Sequence, residues 1–228
     1  MVEIMRHVQT PYPVHSLAEI ALSLKVMACP HCSGGPLGPR SRSYHFDART
    51  GRIGLEIVCR SCQKSEPLFF SLADSGQAAS APWPRLFNEE TILATAESVN
   101  PTPRSSALID VAGWVMLHSL LTDKARTESV HARSSTERNA VRNLQILAGQ
   151  CIDEALKFYD VDNDLPPSDA FFSEAGKIQF HAYPELFVRD RLIDLRSRLP
   201  SRVPRIRTDP TSSNAHPPRR WWQFWKRR

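Results

Sequence analysis

Two cysteine pairs, Cys29 and Cys32 in CPHC and Cys59 and Cys62 in CRSC, are the residues of this chain best suited to do chemistry. A C-x-x-C turn brings two thiolates to one point, and two such turns supply the four ligands of a tetrahedral Zn2+. Backbone amides of the same turns can donate to the sulfurs and steady their charge. Four cysteines close the shell, so the expected metal is structural, with no position left for a catalytic water. Gly34 and Gly35 follow the first pair and are expected to take the positive-φ conformation that the turn demands. His31, His45 and Asp47 are close in sequence and read as solvated loop or strand residues.

The segment between the pairs has hairpin character. Tyr44 and Phe46 alternate on one arm, Ile53, Leu55 and Ile57 on the other, and Gly51 stands in the turn. The alternation stays in phase to Cys59, which sets its side chain on the same face as the isoleucines. Over about residues 27–72, a fifth of the chain, the sequence resembles the zinc-ribbon family. That resemblance implies a small β module held by Zn2+; ribbons of this kind bind nucleic acid, bind protein or only brace a neighbouring domain. CPHC by itself also resembles the thioredoxin-like redox motif. There the first cysteine opens a helix, which SGGPLGP cannot continue.

The C-terminal end is the second candidate site. RRWWQFWKRR places Trp221, Trp222, Phe224 and Trp225 on one helical arc, among Arg219, Arg220, Lys226, Arg227 and Arg228. Such an unpartnered apolar end reads as a docking site. Tryptophan with Lys and Arg suits an anionic membrane surface. Aromatic anchors also suit a groove on a partner protein, and stacking on single-stranded nucleic acid is a third destination. A fourth is the chain's own helical bundle. From Ser201 onward there are eight Lys or Arg against one Asp, so the net charge of +5 belongs to the tail and the first 200 residues sum to −2. Within the ribbon Arg40, Arg42, Arg49 and Arg52, with Tyr44 and Phe46, are possible nucleic-acid contacts. The competing reading turns those aromatics into the small core.

Other constellations are weaker. Arg126 and His131 form an R-x4-H pattern that resembles the motif of HEPN-type RNases, where the resemblance would make His131 the acid/base and Arg126 the phosphate stabiliser. Thr127 stands where that family's Asn, Asp or His is expected after the arginine. Asp160, Asp162 and Asp164 lack the glycine and terminal glutamate of a calcium loop and read as a solvated turn. Cys151 and His118 fall on apolar helical segments and read as core residues. Phosphate loops, metalloprotease motifs and nucleophile elbows do not occur, and no small-molecule substrate is indicated.

The elements that position these residues follow from caps and periodicity. Ser16 and Glu19 form a capping box for a helix to Val26. Residues 73–85 are a proline and small-residue linker. Asn88 can cap a helix to about Val99, and the apolar run Ala107 to Leu121 predicts another. Ser134 and Glu137 open the clearest helix, to about Tyr159, with Val141, Leu144, Ala148, Cys151, Ile152, Ala155 and Tyr159 on one stripe. A short helix is expected from Ser168 to near Gly176, and a last one from Pro184 through Val188, Leu192, Leu195 and Leu199.

The expected fold is therefore α+β: an N-terminal extension and helix (1–26), a β zinc ribbon (27–72), a linker (73–85), an α-helical bundle (86–199), a disordered Pro/Arg-rich linker (200–218) and the docking tail (219–228). No apolar run is long enough to span a bilayer and the N-terminus lacks a signal pattern, so a cytoplasmic protein, peripheral at a membrane, is expected. The expected function is a non-enzymatic zinc-binding adaptor docking through its tail. Nucleic-acid binding is the alternative and an RNase the third.

Overall fold

The computed structural model describes residues 10–41, 44–47, 49–72 and 87–201; Arg42, the 73–86 segment and residues 202–228, including the aromatic tail, lie outside the described residues. The chain is α+β; among the described residues it has a five-stranded mixed sheet in its first third and five of six α-helices after it.

Strand β4 (Arg52–Cys59) is the axis of the sheet. Its sequence RIGLEIVC alternates, and Ile53, Leu55, Ile57 and Cys59 are all buried on one face. β5 (Ser65–Leu72) pairs antiparallel along its length, from Arg52 opposite Ser71 to Val58 opposite Ser65. On the other side β3 (His45–Asp47) covers the start of β4 and β2 (Leu37–Pro39) covers its end, both antiparallel. β1 (Tyr12–Val14) adds parallel to β5, giving the order β1-β5-β4-β2. The β3–β4 hairpin is the expected one, with Gly51 in its turn at φ 64°. β1, β2 and β5 are additions to it.

Helix α1 (Leu17–Val26) joins the sheet to the helices. Ser16 caps it by accepting from the Glu19 amide, while the Glu19 carboxylate accepts from the His15 N–H at 2.6 Å. Ile20, Ala21, Leu22 and Leu24 are no more than 1% exposed because the helix packs on β1 and β2 and also on α2 (Glu89–Thr95) and α3 (Val111–Ser129). One hydrophobic core therefore runs from Val14 through the sheet and α1 to Leu192.

α3 and α4 (Ser135–Leu156) form the main helical pair. The Ser134/Glu137 capping box is present in both arms, and every residue of the expected stripe is buried. α3 begins at Val111 rather than Ala107, because the buried Asp110 accepts from the Gly113 amide at 2.7 Å and fixes the helix start there.

Two helix boundaries differ more. Ser168 opens only a short 3-10 turn (Ser168–Ala170), and Gly176 lies in the first turn of α5 (Glu174–Ala182) instead of ending a helix. Ser173 is the cap of α5, and a Cβ on residue 176 would stand 2.2 Å from the Asp110 Oδ2. Glycine is there for close approach, not as a stop. Likewise Pro184 opens a 3-10 turn (Pro184–Phe187), and α6 (Arg189–Ser197) starts after it.

Candidate metal centre

The two C-x-x-C turns are built alike. In the first, the Ser33 N–H donates to the Cys29 carbonyl at 2.8 Å and the Cys29 N–H to the Gly34 carbonyl at 2.7 Å. In the second, the Gln63 N–H donates to the Cys59 carbonyl and the Cys59 N–H to the Lys64 carbonyl, each at 2.9 Å. The residue after the second cysteine turns left-handed in both, Ser33 at φ 56° and Gln63 at φ 60°. Gly34 and Gly35 are not among the positive-φ residues, contrary to expectation, because the chain reverses one residue earlier. Gly34 serves packing instead: a Cβ there would meet the Ser61 Oγ at 3.3 Å.

The turns are locked face to face. Ser61 Oγ donates to the Gly35 carbonyl at 2.8 Å, and the Arg60 N–H donates to the Pro36 carbonyl at 3.1 Å. Strand pairing reinforces this, since β2 leaves the first turn and lies in register with the end of β4, Leu37 opposite Cys59.

All four sulfurs consequently fall within 4.8 Å of one another. Cys29 and Cys62 are 3.7 Å apart across the turns, and so are Cys32 and Cys59. A disulfide would bring sulfurs to about 2.05 Å. A tetrahedral zinc with Zn–S near 2.3 Å sets its sulfurs about 3.8 Å apart, so both cross-turn distances match an edge of that tetrahedron. The set fits a metal ion. Cys29 and Cys59 are buried, Cys62 is half-buried and Cys32 is exposed.

The thiols' acidities diverge. The Cys62 amide, aided by that of Ser61, donates to the Cys59 sulfur and brings its thiol down to about 6. At Cys32 the Gly34 amide pulls downward, but the Cys62 sulfur, burial and the Cys59 and Cys29 sulfurs together push the thiol up to about 12. Four crowded thiols cannot all ionise against one another; a divalent cation removes that conflict and takes all four as thiolates. His31 braces the rim, with its N–H on the Cys29 sulfur at 3.4 Å and its Nε2 3.5 Å from the Glu66 carboxylate on β5.

The remaining candidates are placed as follows. Tyr44 and Phe46 are partly buried and pack against the core, Tyr44 edge-on to Phe87. Arg40 is paired with Glu56 at 2.6 Å, while Arg49 and Arg52 are exposed at the β3–β4 turn. The exposed aromatics of the sheet are Tyr12 on β1 and Phe69 on β5, whose ring covers Gly54. Arg126 pairs with Asp123 at 2.9 Å, and His131 is an exposed residue past the end of α3. Asp160, Asp162 and Asp164 are exposed on the loop before the Ser168 turn. Cys151 is fully buried and burial raises its thiol well above the ordinary range. His118 is buried, its Nδ1 3.3 Å from the Ala148 carbonyl, and burial lowers its pKa.

A buried polar cluster was not foreseen. Glu19 and Glu154 are 0% and 3% exposed, and each has one carboxylate oxygen without a hydrogen-bond partner. Lys157 donates to the Glu154 Oε1 at 2.9 Å and to the carbonyls of Asn100 and Thr102, tying the loop before α3 to the end of α4. In sequence the signal is thin: Glu154 interrupts the apolar stripe beside Ala155.

No protein-family model matches the chain, and no curated protein or solved structure is similar to it.

Proposed function

We propose that Cys29, Cys32, Cys59 and Cys62 hold one structural Zn2+, and that the chain is a non-enzymatic adaptor whose zinc-braced body carries a C-terminal docking tail. The observation that carries this reading is the closed set of four sulfurs with two edges of 3.7 Å. A metal with all its ligands from protein contributes folding free energy rather than an open coordination position. Here it would fasten two loops, neither of which has much apolar surface, to the end of β4 and so to the core shared with α1. Arg126 is paired with Asp123 on the surface, and Cys151 and His118 are core residues.

The tail, Arg219 to Arg228, is assigned an anionic membrane surface, because three Trp beside five Lys or Arg satisfy the headgroup boundary and the lipid charge together. A groove on a partner protein is the other destination. Among the described residues no helix is long and apolar enough to cross a membrane. Nucleic-acid binding by the sheet is less well supported, since the aromatics it would stack on, Tyr44 and Phe46, pack on the core.

The test is flotation of the full chain, and of one ending at Pro218, with anionic and neutral vesicles. Flotation of the full chain alone, and only with anionic vesicles, is the expected result. If neither chain floats, the membrane assignment is wrong and the tail's target is a protein or a nucleic acid.

A further inference from the structure

Around the start of α6 the surface is acidic and apolar at once. The Arg189 guanidinium donates to the carbonyls of Asp160 and Val161 at 3.0 and 2.7 Å, and the Arg189 N–H donates to the Asp164 carbonyl at 2.8 Å. These bonds clamp the loop 160–165 onto the first turn of the helix. On the clamped loop Val161 is 84% exposed and Leu165 39%, and Ile193, one turn along α6 from Arg189, is 48% exposed. Asp160, Asp162 and Asp164 are exposed beside them. Of the arginines on α6, Arg196 pairs with Asp153 and Arg198 with Asp194, while Arg189 lies on the loop and Arg191 is exposed near the Glu185 carbonyl, so with Asp190 the surface carries four aspartates against two arginines.

We infer that this surface is a docking site for the chain's own last ten residues, RRWWQFWKRR. Five Lys or Arg of that segment complement the three loop aspartates, and three Trp and a Phe match the exposed Val161, Leu165 and Ile193. The chain also ends in the right place. It leaves α6 at Ser197, and Trp221 is the twentieth residue after Ser201. Twenty residues reach at most about 70 Å, whereas α6 is only about 14 Å long, so the loop is well within range. Tethering supplies an effective concentration of order millimolar, enough to fill a site of modest intrinsic affinity. The inference rests on the proposed function only in using the same aromatic segment: a tail seated on the loop is hidden from a membrane, so the two destinations compete.

The experiment uses the full chain, isotopically labelled, and compares amide NMR shifts of wild type with W221S/W222S/W225S. The expected result is shifts confined to residues 160–165 and 189–193. Unchanged amides there, or changes centred on another surface, overturn the inference. A second variant, V161S/L165S/I193S, alters only exposed side chains and is read by vesicle flotation. If the wild-type tail is nine-tenths docked, freeing it should lower the anionic lipid needed for half-flotation about tenfold; an unchanged requirement contradicts the competition. If neither chain floats while the NMR contact is present, the membrane reading fails and the docking site stands. If both float alike with no NMR contact, the reverse holds.

Discussion

Replacing Gly176 by alanine should destabilise the protein by more than a helix-favouring substitution ever should, and most of that cost should vanish when Asp110 is removed too. The Asp110 carboxylate sits between two helix starts. Its Oδ1 accepts from the Gly113 N–H at 2.7 Å and its Oδ2 from the Ser173 N–H at 3.1 Å and the Ser173 hydroxyl at 2.6 Å, while Ser173 Oγ accepts from the Gly176 N–H at 2.9 Å. An alanine Cβ at 176 would lie 2.2 Å from Oδ2 and 2.9 Å from Ser173 Oγ. The carboxylate must withdraw by about an ångström and give up the Ser173 bonds. Hydrogen bonds to a charged group contribute about 1.5–3 kcal/mol each and a helix cap about 1. Ser173 is exposed, so its two bonds count at the lower end of that range, and alanine returns about 1 kcal/mol of helix propensity; a net cost of about 3 kcal/mol remains for G176A. D110A alone should cost about as much, by losing the same bonds and the cap of α3. In D110A/G176A the clash with Oδ2 is gone, so the double variant should be more stable than the sum by about 2 kcal/mol. Urea unfolding followed by far-UV circular dichroism and by fluorescence of the buried Trp114 measures the cycle. Additivity within about 0.5 kcal/mol would refute the assigned geometry.

Ser33 and Gln63 occupy left-handed backbone conformations that glycine adopts without strain. Ser33→Gly and Gln63→Gly should each raise the melting temperature of the zinc-loaded protein, by about 0.5–1 kcal/mol of stability; lower melting temperatures would show that these side chains matter more than the turn. Glu154 is expected to make stability fall with rising pH. Burial, partly offset by Lys157, raises its carboxyl from 4.5 to about 7 in the folded state. The folded protein thus holds a proton that the unfolded chain releases, so stability is greatest below about 4.5 on this account and declines as pH rises through 7. Glu154→Gln should flatten that decline and stabilise the protein at pH 8 by on the order of 2 kcal/mol; an unchanged pH profile would assign the proton elsewhere. Thiol titration of the native zinc-loaded chain should leave all five cysteines slow to react, and chelation should expose the four of the metal centre while Cys151 stays buried. Rapid reaction of Cys151 in the folded protein would contradict its placement.

Local signals in the sequence carry much of the fold. The Ser134/Glu137 box and the stripe from Val141 to Tyr159 give α4 almost to the residue, because cap and periodicity agree. The four-cysteine cluster is legible in part: Ile53, Leu55 and Ile57 announce the strand that ends in the second turn, whereas the first turn is brought to it by β2, which pairs with the end of β4. What escaped depends on partners distant in sequence. β1 is three residues that become a strand only against Phe70 to Leu72, and β5, SEPLFFSL, carries a proline and an unbroken apolar run in place of alternation. Gly176 looks like a helix stop because its reason, the carboxylate of Asp110, is 66 residues away. Glycine is the usual sign of a left-handed residue, whereas these turns place it directly after each second cysteine, at Ser33 and Gln63. Glu19 and Glu154 look like solvated positions on helices until the helices are packed.

The most direct test of the zinc assignment is native mass spectrometry with elemental analysis, on the full chain and on Cys59→Ser/Cys62→Ser, both purified without added metal. The wild type should carry one zinc per chain, bound with loss of thiol protons, and lose it to a strong chelator together with order in 29–39 and 57–64. The double variant should carry none. Stoichiometric zinc retained by C59S/C62S, or wild-type protein that is fully folded and metal-free, would contradict the four-thiolate centre.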